Sequence, residues 1–350
     1  MPETLPPGTK DTDGLAVYWD KPLSELAQID VTPISAEQAE RHRIYSLLTM
    51  ALVRGYWNGN KYGAEGTYPW RVKQKKASGS YEGDQFGDRY IGHNIAAIAV
   101  DENGEIIDFD FNHNEIYNSS AEHAEARLIR RIFSLNQAYD HWQVLSEPEL
   151  SDIAYSNVFN GVTIYTSLES CAQCSGVMTL ASCLRVVYLQ SDPGQYLVGN
   201  LLYNLSRPHP KATPFALIKA ARPKPVSKYW APEPLSADHF AFDYKKKLEA
   251  AYLNFLAKGK DETNWYFWQV PGKMKKADSL TSFLCTDDAR DIFDLAVKEF
   301  ESMAAHHGGF KPPRGDGEVD PVKSNAEALV HARAFLRHAI KEARRGTPHR

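Results

Sequence analysis

Ser119-Ser120-Ala121-Glu122-His123-Ala124-Glu125 and, further on, Leu168-Glu169-Ser170-Cys171-Ala172-Gln173-Cys174 are the stretches on which the reading of this 350-residue chain turns. The first sets an imidazole, His123, two residues before a carboxylate, Glu125. The second sets two thiols, Cys171 and Cys174, three residues apart, a spacing that places both on one side of a helix. One His and two Cys make a three-donor zinc site, and a fourth position left to water makes such a site catalytic rather than structural. Helix starts carry partial positive charge and free N–H groups, which favour thiolate. His123 and the two cysteines are therefore expected in the first turns of two helices that converge on one Zn2+. Two thiolates and a neutral imidazole leave that ion formally uncharged and a weaker Lewis acid than a three-imidazole site. A base beside it then matters more, and Glu125 is placed to move protons on the bound water.

Outward from these stretches, strands and helices alternate. Val162 to Ser167 reads as a buried strand leading into the cysteines, and a helix follows from Ser170 to about Cys183, with Ser170 and Gln173 as its capping box. Arg185 to Gln190 is a further strand and Val198 to Leu205 a further helix. Upstream, Ile91 to Val100 and Glu105 to Phe111 flank Asn103-Gly104, a strong hairpin signal. Ser119 or Ser120 can cap a helix running to about Gln137. Ser35 and Gln38 make a capping box for an earlier helix, in which Ile44, Leu47, Leu48 and Ala51 trace one buried face. Residues 56–90, where Trp57, Trp70, Arg71, Lys73, Lys75 and Lys76 interleave aromatics with positive charge, read either as a base-stacking loop or as a solvated insertion. Residues 138–160 read as a second insertion. Phe215 to Ala220 is a candidate fifth strand, followed by a Pro-rich link over residues 222–234. Ala241 to Leu256 is an amphipathic helix, and Trp265 to Trp268 a packed aromatic cluster. Asp287 to His306 and Ser324 to Arg345 are two helices with apolar faces that must bury against the sheet, each other or a second subunit. The pattern predicts an α/β fold with helices on both faces of a mixed sheet.

Composition narrows the class. The chain is 43% hydrophobic and 24% charged, ordinary for a globular protein, with a formal net charge of −4 that offers no global attraction to nucleic acid. Four cysteines are too few for a disulfide scaffold, and a C-x-x-C pair in so Cys-poor a chain favours metal or redox use. Cys183 is about three helical turns past Cys174, roughly 13 Å of rise, too far for a fourth ligand; Cys183 and Cys285 read as buried small hydrophobes. No apolar run is long enough to span a bilayer and no signal peptide opens the sequence, so no membrane partner and a cytoplasmic location are expected. Asn112, at the end of the second hairpin strand, is either a turn residue or a group that binds a base edge or a ribose hydroxyl.

His123-Ala124-Glu125 with Cys171-Ala172-Gln173-Cys174, the strand before the cysteines, and the helix and strand after them resemble the cytidine deaminase-like zinc deaminase superfamily. Within it the likeness is to the tRNA adenosine deaminase and guanine deaminase branch. The likeness covers about residues 36–205. It implies a three-layer α/β/α fold with a mixed five-stranded sheet, Zn2+ held by His123, Cys171 and Cys174, and Glu125 as the catalytic acid–base. It also implies substrate contacts from Asn112 and Ala124, and hydrolytic removal of an exocyclic amine from a nucleobase with release of ammonia. A purine-type base, nucleoside or nucleotide is the favoured substrate; tRNA or single-stranded nucleic acid is the alternative, and a zinc-stabilised binding module or inactive relative the non-enzyme one. Such relatives commonly assemble, so a homo-oligomer is expected. The domain plan is an irregular arm over 1–34, the deaminase domain over 35–258 with insertions at 56–90 and 138–160, and a helical C-terminal extension over 259–350 that helps shape the pocket. Ser170 departs from the family, which has Pro before the first Cys.

Overall fold

The computed structural model describes residues 21–31, 33–57, 92–114, 117, 119–146, 158–206, 231–258, 267–270, 273–276, 279–313 and 321–342. Residues 1–20, nearly all of the 56–90 insertion, the middle of the 138–160 insertion, the candidate strand Phe215–Ala220 and the side chains of Trp265–Trp268 lie outside these.

Strands β1 (Ala96–Val100), β2 (Ile106–Phe111), β3 (Thr163–Thr166), β4 (Arg185–Tyr188) and β5 (Glu233–Ser236) form one mixed sheet in the order β2-β1-β3-β4-β5. β1 runs antiparallel to β2 and β3, and β3, β4 and β5 are mutually parallel. Asn103-Gly104 makes the hairpin turn, with Gly104 at φ +83, where a side chain would collide with the Arg41 guanidinium. β1 is Ala-Ala-Ile-Ala-Val and buried at every position. A strand that is apolar without alternation needs cover on both faces, and it has it. α2 (Ala36–Gly55) packs on β1 and β3, while α3 (Ala124–Ser146) packs on β1, β2 and β3, with α4 (Ala172–Leu180) and α5 (Val198–Ser206) ranged beside it. A four-residue helix, α1 (Leu23–Leu26), leans on α5.

The fifth strand, β5, begins in the last two residues of the stretch expected to be a Pro-rich link, Glu233 and Pro234, and continues to Ser236. Pro234 lies opposite Val186 on a strand that, among the described residues, has a neighbour on one side only, the position where a residue without an N–H is tolerated. α3 also runs past Gln137 to Ser146, so the second insertion begins later than expected. α4 ends at Leu180, short of Cys183, where Ser182 takes φ +59 and turns the chain into β4.

α2 starts at the expected capping box, Ser35 with Gln38. The expected face, Ile44, Leu47, Leu48 and Ala51, is buried, but burial goes further: Glu40, Arg41 and His42 are buried too, and from Ile44 to Val53 it runs all the way round. The reason lies at the other end of the chain. After α6 (Asp243–Lys258), the hairpin β6 (Phe267–Val270) and β7 (Lys273–Lys276), and a short α7 (Leu280–Phe283), the helices α8 (Asp287–Ser302) and α9 (Asn325–Glu342) pack on the side of α2 away from the sheet. Arg54 pairs with Asp294 at 2.5 Å, Arg43 with Glu299, and Tyr56 donates to the Ala339 carbonyl. A helix covered on all sides is apolar on all sides.

Candidate active site

The β2–α3 turn presents the imidazole. His123 is the last residue before α3, its carbonyl accepting from Arg127 N at 3.0 Å. It therefore stands at the N-cap, one place ahead of the first turn expected for it. Neither Ser119 nor Ser120 caps this helix; Ser119 Oγ accepts from Ala121 N within the preceding turn. The start of α3 is tied instead to the end of β2, where Asn112 Oδ1 accepts from Ala124 N at 2.8 Å and His113 N donates to Glu122 O at 2.8 Å. The cysteines follow the same plan. Cys171 is the N-cap of α4, extended at φ −70 and ψ 173, and Cys174 lies one turn inside. That shift by one residue undoes the capping box expected of Ser170 and Gln173. Ser170 Oγ donates to Glu125 Oε1, and Gln173 Nε2 donates to the Ala121 carbonyl.

Two helix starts thus meet. Cys171 Sγ and Cys174 Sγ are 3.6 Å apart, and His123 Nδ1 is 3.3 and 3.7 Å from them. Tetrahedral zinc, with bonds of about 2.3 Å to sulfur and about 2.0 Å to nitrogen, needs roughly 3.8 Å between sulfurs and roughly 3.5 Å between sulfur and nitrogen. The donors match a Zn2+ site. Among the described residues no fourth His, Cys, Asp or Glu joins the three. Cys183 and Cys285 are buried elsewhere, as expected. The thiols divide their protons unevenly. Cys171 is pushed down to about 4 by its hydrogen bond with Cys174 and by His123. Cys174, paired in the same bond and more deeply buried, is pushed up.

Glu125, in the first turn of α3, is buried beside the three donors. Thr166 at the end of β3 and Ser170 both donate to its Oε1, at 3.2 and 3.0 Å, and Cys174 Sγ lies 3.4 Å from its Oε2. Burial raises its affinity for a proton above that of an ordinary carboxylate. One oxygen is fixed by hydroxyls and the other faces the metal donors, which is the arrangement an acid–base group needs.

The family model described as the cytidine and deoxycytidylate deaminase zinc-binding region matches residues 81–190. Over this stretch the chain is similar to that zinc-binding region, and His123, Glu125, Cys171 and Cys174 all fall within it. A solved structure, from biochemical and structural studies of A-to-I editing by tRNA:A34 deaminases at the wobble position of transfer RNA, is 21% identical. Its alignment covers 41% of this chain and 82% of that one, with a TM-score of 0.23. No curated protein matches the chain.

The zinc-binding region is braced by charge. Asp108 and Asp110 on β2 are buried, and Arg131 of α3 bridges them, with Nε 2.6 Å from Asp108 Oδ2 and Nη1 2.8 Å from Asp110 Oδ2. Arg127 adds Asp110 at 3.3 Å and Glu122 at 2.5 Å. These pairs fix α3, and with it His123 and Glu125, against the sheet.

A cavity of about 160 Å³ opens beside the donors, lined by His93, Ile95, Asn112, His123, Glu125, Leu168, Glu169, Cys171, Asp192, Gln195 and Thr281. Asn112 is there, its Oδ1 taken by Ala124 N; among the described residues its Nδ2 makes no hydrogen bond. Ala124 is fully buried under that bond and is not in the lining. Sequence reasoning missed Thr166, Asp192, Gln195 and Thr281. The sole available signal was at Ser170, where a hydroxyl replaces the family's Pro and turns out to hold Glu125. Thr281, on α7, shows that the C-terminal part reaches the cavity.

Proposed function

We infer that this chain is a zinc-dependent hydrolytic deaminase that removes the exocyclic amine of a nucleobase as ammonia, with a purine-type base, nucleoside or nucleotide as the favoured class. The observation that carries this is Glu125, a carboxylate buried beside a three-donor zinc site and held by two hydroxyls. A structural site has no use for it.

His123, Cys171 and Cys174 would hold a zinc ion, which when bound would supply an acidified water. Glu125 would take one proton from the attacking water and pass it to the ring nitrogen beside the amine-bearing carbon. It would then carry the second proton, from the hydroxyl so added to that carbon, to the amine as the carbonyl forms, the C–N bond breaks and ammonia leaves. Thr166 and Ser170 keep the carboxylate aimed through both transfers. Asn112 Nδ2 is the group that steadies the base; the Asn112 carbonyl, by capping α3, couples the base contact to the helix that carries His123. Leu168 and Ile95 supply apolar wall for a planar ring.

Glu125→Gln tests this directly. The variant is expected to fold and to bind one zinc per chain, while ammonia release from the preferred base falls by about two to four orders of magnitude. Full activity in the zinc-loaded variant would remove Glu125 from the mechanism.

A further inference from the structure

Part of the cavity lining comes from the segment Ser191–Leu197, which follows β4 and has no part in the chemistry above. It contributes Asp192 and Gln195 to the lining. Its conformation is unusual and firmly held. Tyr196 and Leu197 occupy the left-handed region at φ +52 and +54, which side chains rarely adopt in succession. Backbone strain of this kind persists where surrounding bonds over-determine it, and it gathers at functional sites. The bonds here come from Glu169. This residue, buried two places before Cys171, accepts from Asp192 N at 2.9 Å and from the backbone of Leu197. One carboxylate thus pins both ends of the segment to the strand end that delivers the cysteines.

What the segment offers is acceptor capacity and negative charge. Asp192 Oδ1 accepts from Gly194 N at 2.9 Å, and among the described residues its Oδ2 accepts nothing. The Gln195 side chain likewise makes no hydrogen bond among the described residues, so its amide has both a donor and an acceptor to spare. Glu125, Glu169 and Asp192 all line the cavity, and among the described residues no Lys or Arg does. Among the described lining residues, a phosphate brought to this wall would meet carboxylates and neither Lys nor Arg, and like charges at close range repel. A neutral heterocycle would instead find a carboxylate for its N–H groups and an amide for its neighbouring edge. The size agrees, since a cavity near 150 Å³ suits about one small aromatic ring system.

We propose that Asp192 and Gln195 on the Glu169-pinned segment are the specificity-determining groups, which read the N–H edge of a neutral nucleobase or nucleoside and reject phosphorylated forms. This rests on the deaminase reading above and narrows it to one substrate class. Two measurements keep the readings separable. The first is kcat/KM for ammonia release from the zinc-loaded full chain over matched bases, nucleosides, 5′-monophosphates and short single-stranded oligonucleotides. The second is equilibrium binding of the same panel to zinc-loaded Glu125→Gln, which needs no turnover.

In both, neutral compounds are expected to lead their phosphorylated counterparts by at least tenfold. Asp192→Asn is expected to keep its zinc, to weaken binding of the neutral compounds at least fivefold with a smaller change in kcat, and to shrink the preference against phosphate. Gln195→Ala is expected to weaken binding without touching that preference. Monophosphates or oligonucleotides that bind or react as well as the neutral compounds overturn the proposal and leave the deaminase reading standing, as does an Asp192→Asn variant with unaltered discrimination. Ammonia from no compound, with neutral bases still bound through Asp192, overturns the deaminase reading and leaves the specificity assignment standing. Binding of no neutral compound overturns the assignment.

Discussion

His42 is buried in the middle of α2, its Nδ1 accepting from the Tyr165 hydroxyl at 2.9 Å and its ring beside Phe240. Burial, with Arg185 and Arg41 adding to it, pushes its pKa down to about 3 from the ordinary 6.5. The folded protein therefore keeps His42 neutral while the unfolded chain protonates it near pH 6.5. The stability this contributes is whole above pH 6.5 and drains away as the pH falls from there toward 3, to a limit on the order of 5 kcal/mol. Urea denaturation at pH 7, 5.5 and 4 should show a steep decline that flattens in His42→Gln. That variant should also be about 1–2 kcal/mol less stable at pH 7, since the buried Tyr165 hydroxyl is left with a poorer partner. No periodicity in the sequence distinguishes His42 from a surface histidine near a helix start. His123, Cys171 and Cys174 were legible because zinc chemistry imposes residue type and spacing at once. Ser170 was not, because a serine before a helix reads first as a cap, and its bond to Glu125 spans 45 residues of sequence.

The element that decides whether the site exists is α3, and its attachment is more electrostatic than apolar at the β2 end. Arg131→Met strands Asp108 and Asp110 in the interior, and breaking such a pair costs about 3–5 kcal/mol. The expected outcome is a loss of that size in chemical denaturation together with weaker zinc binding, because His123 and Glu125 ride on the same helix. Arg131→Lys should recover only part of it, a point charge being unable to bridge two carboxylates as the planar fork does. At this scale the sequence served well where local chemistry rules. The Asn103-Gly104 hairpin and the Ser35–Gln38 box are where their residues say. It served less well where a distant partner rules. The start of α3 is set by Asn112 across the turn and not by the serines beside it, and β5 forms from a Pro-containing stretch because β4 offers it a free edge.

For the whole molecule, α2 is the shared centre, with the sheet on one side and α8 and α9 on the other. A chain ending at Lys258 would lay bare the outer face of a helix that is buried all round from Ile44 to Val53. The expected result is aggregation, or a melting transition without cooperativity, seen by size-exclusion chromatography and calorimetry. It would also remove Thr281 from the cavity. A soluble, zinc-loaded and fully active fragment would show the C-terminal helices to be dispensable. The sequence pointed to apolar faces on these helices, yet their partner was beyond reach. The target face lies 240 to 283 positions upstream of residues that bond to it, and the partial pattern Ile44, Leu47, Leu48, Ala51 traces only the half of α2 that a two-layer fold would bury.

The two rims of the sheet have a bearing on how this protein meets its own copies. A strand at a rim is a template onto which another chain can add. At one rim Pro234 withholds an N–H from any newcomer. At the other, β2 has spent its outward groups internally: Phe109 N and Phe111 N donate to the carboxylates of Asp108 and Asp110, and the Phe109 carbonyl accepts from Arg131. The charges that steady the zinc-binding helix are therefore also a guard against edge-to-edge growth. A substitution at Asp108, Asp110 or Arg131 that freed the β2 rim would therefore invite edge-to-edge aggregation together with the loss of zinc binding.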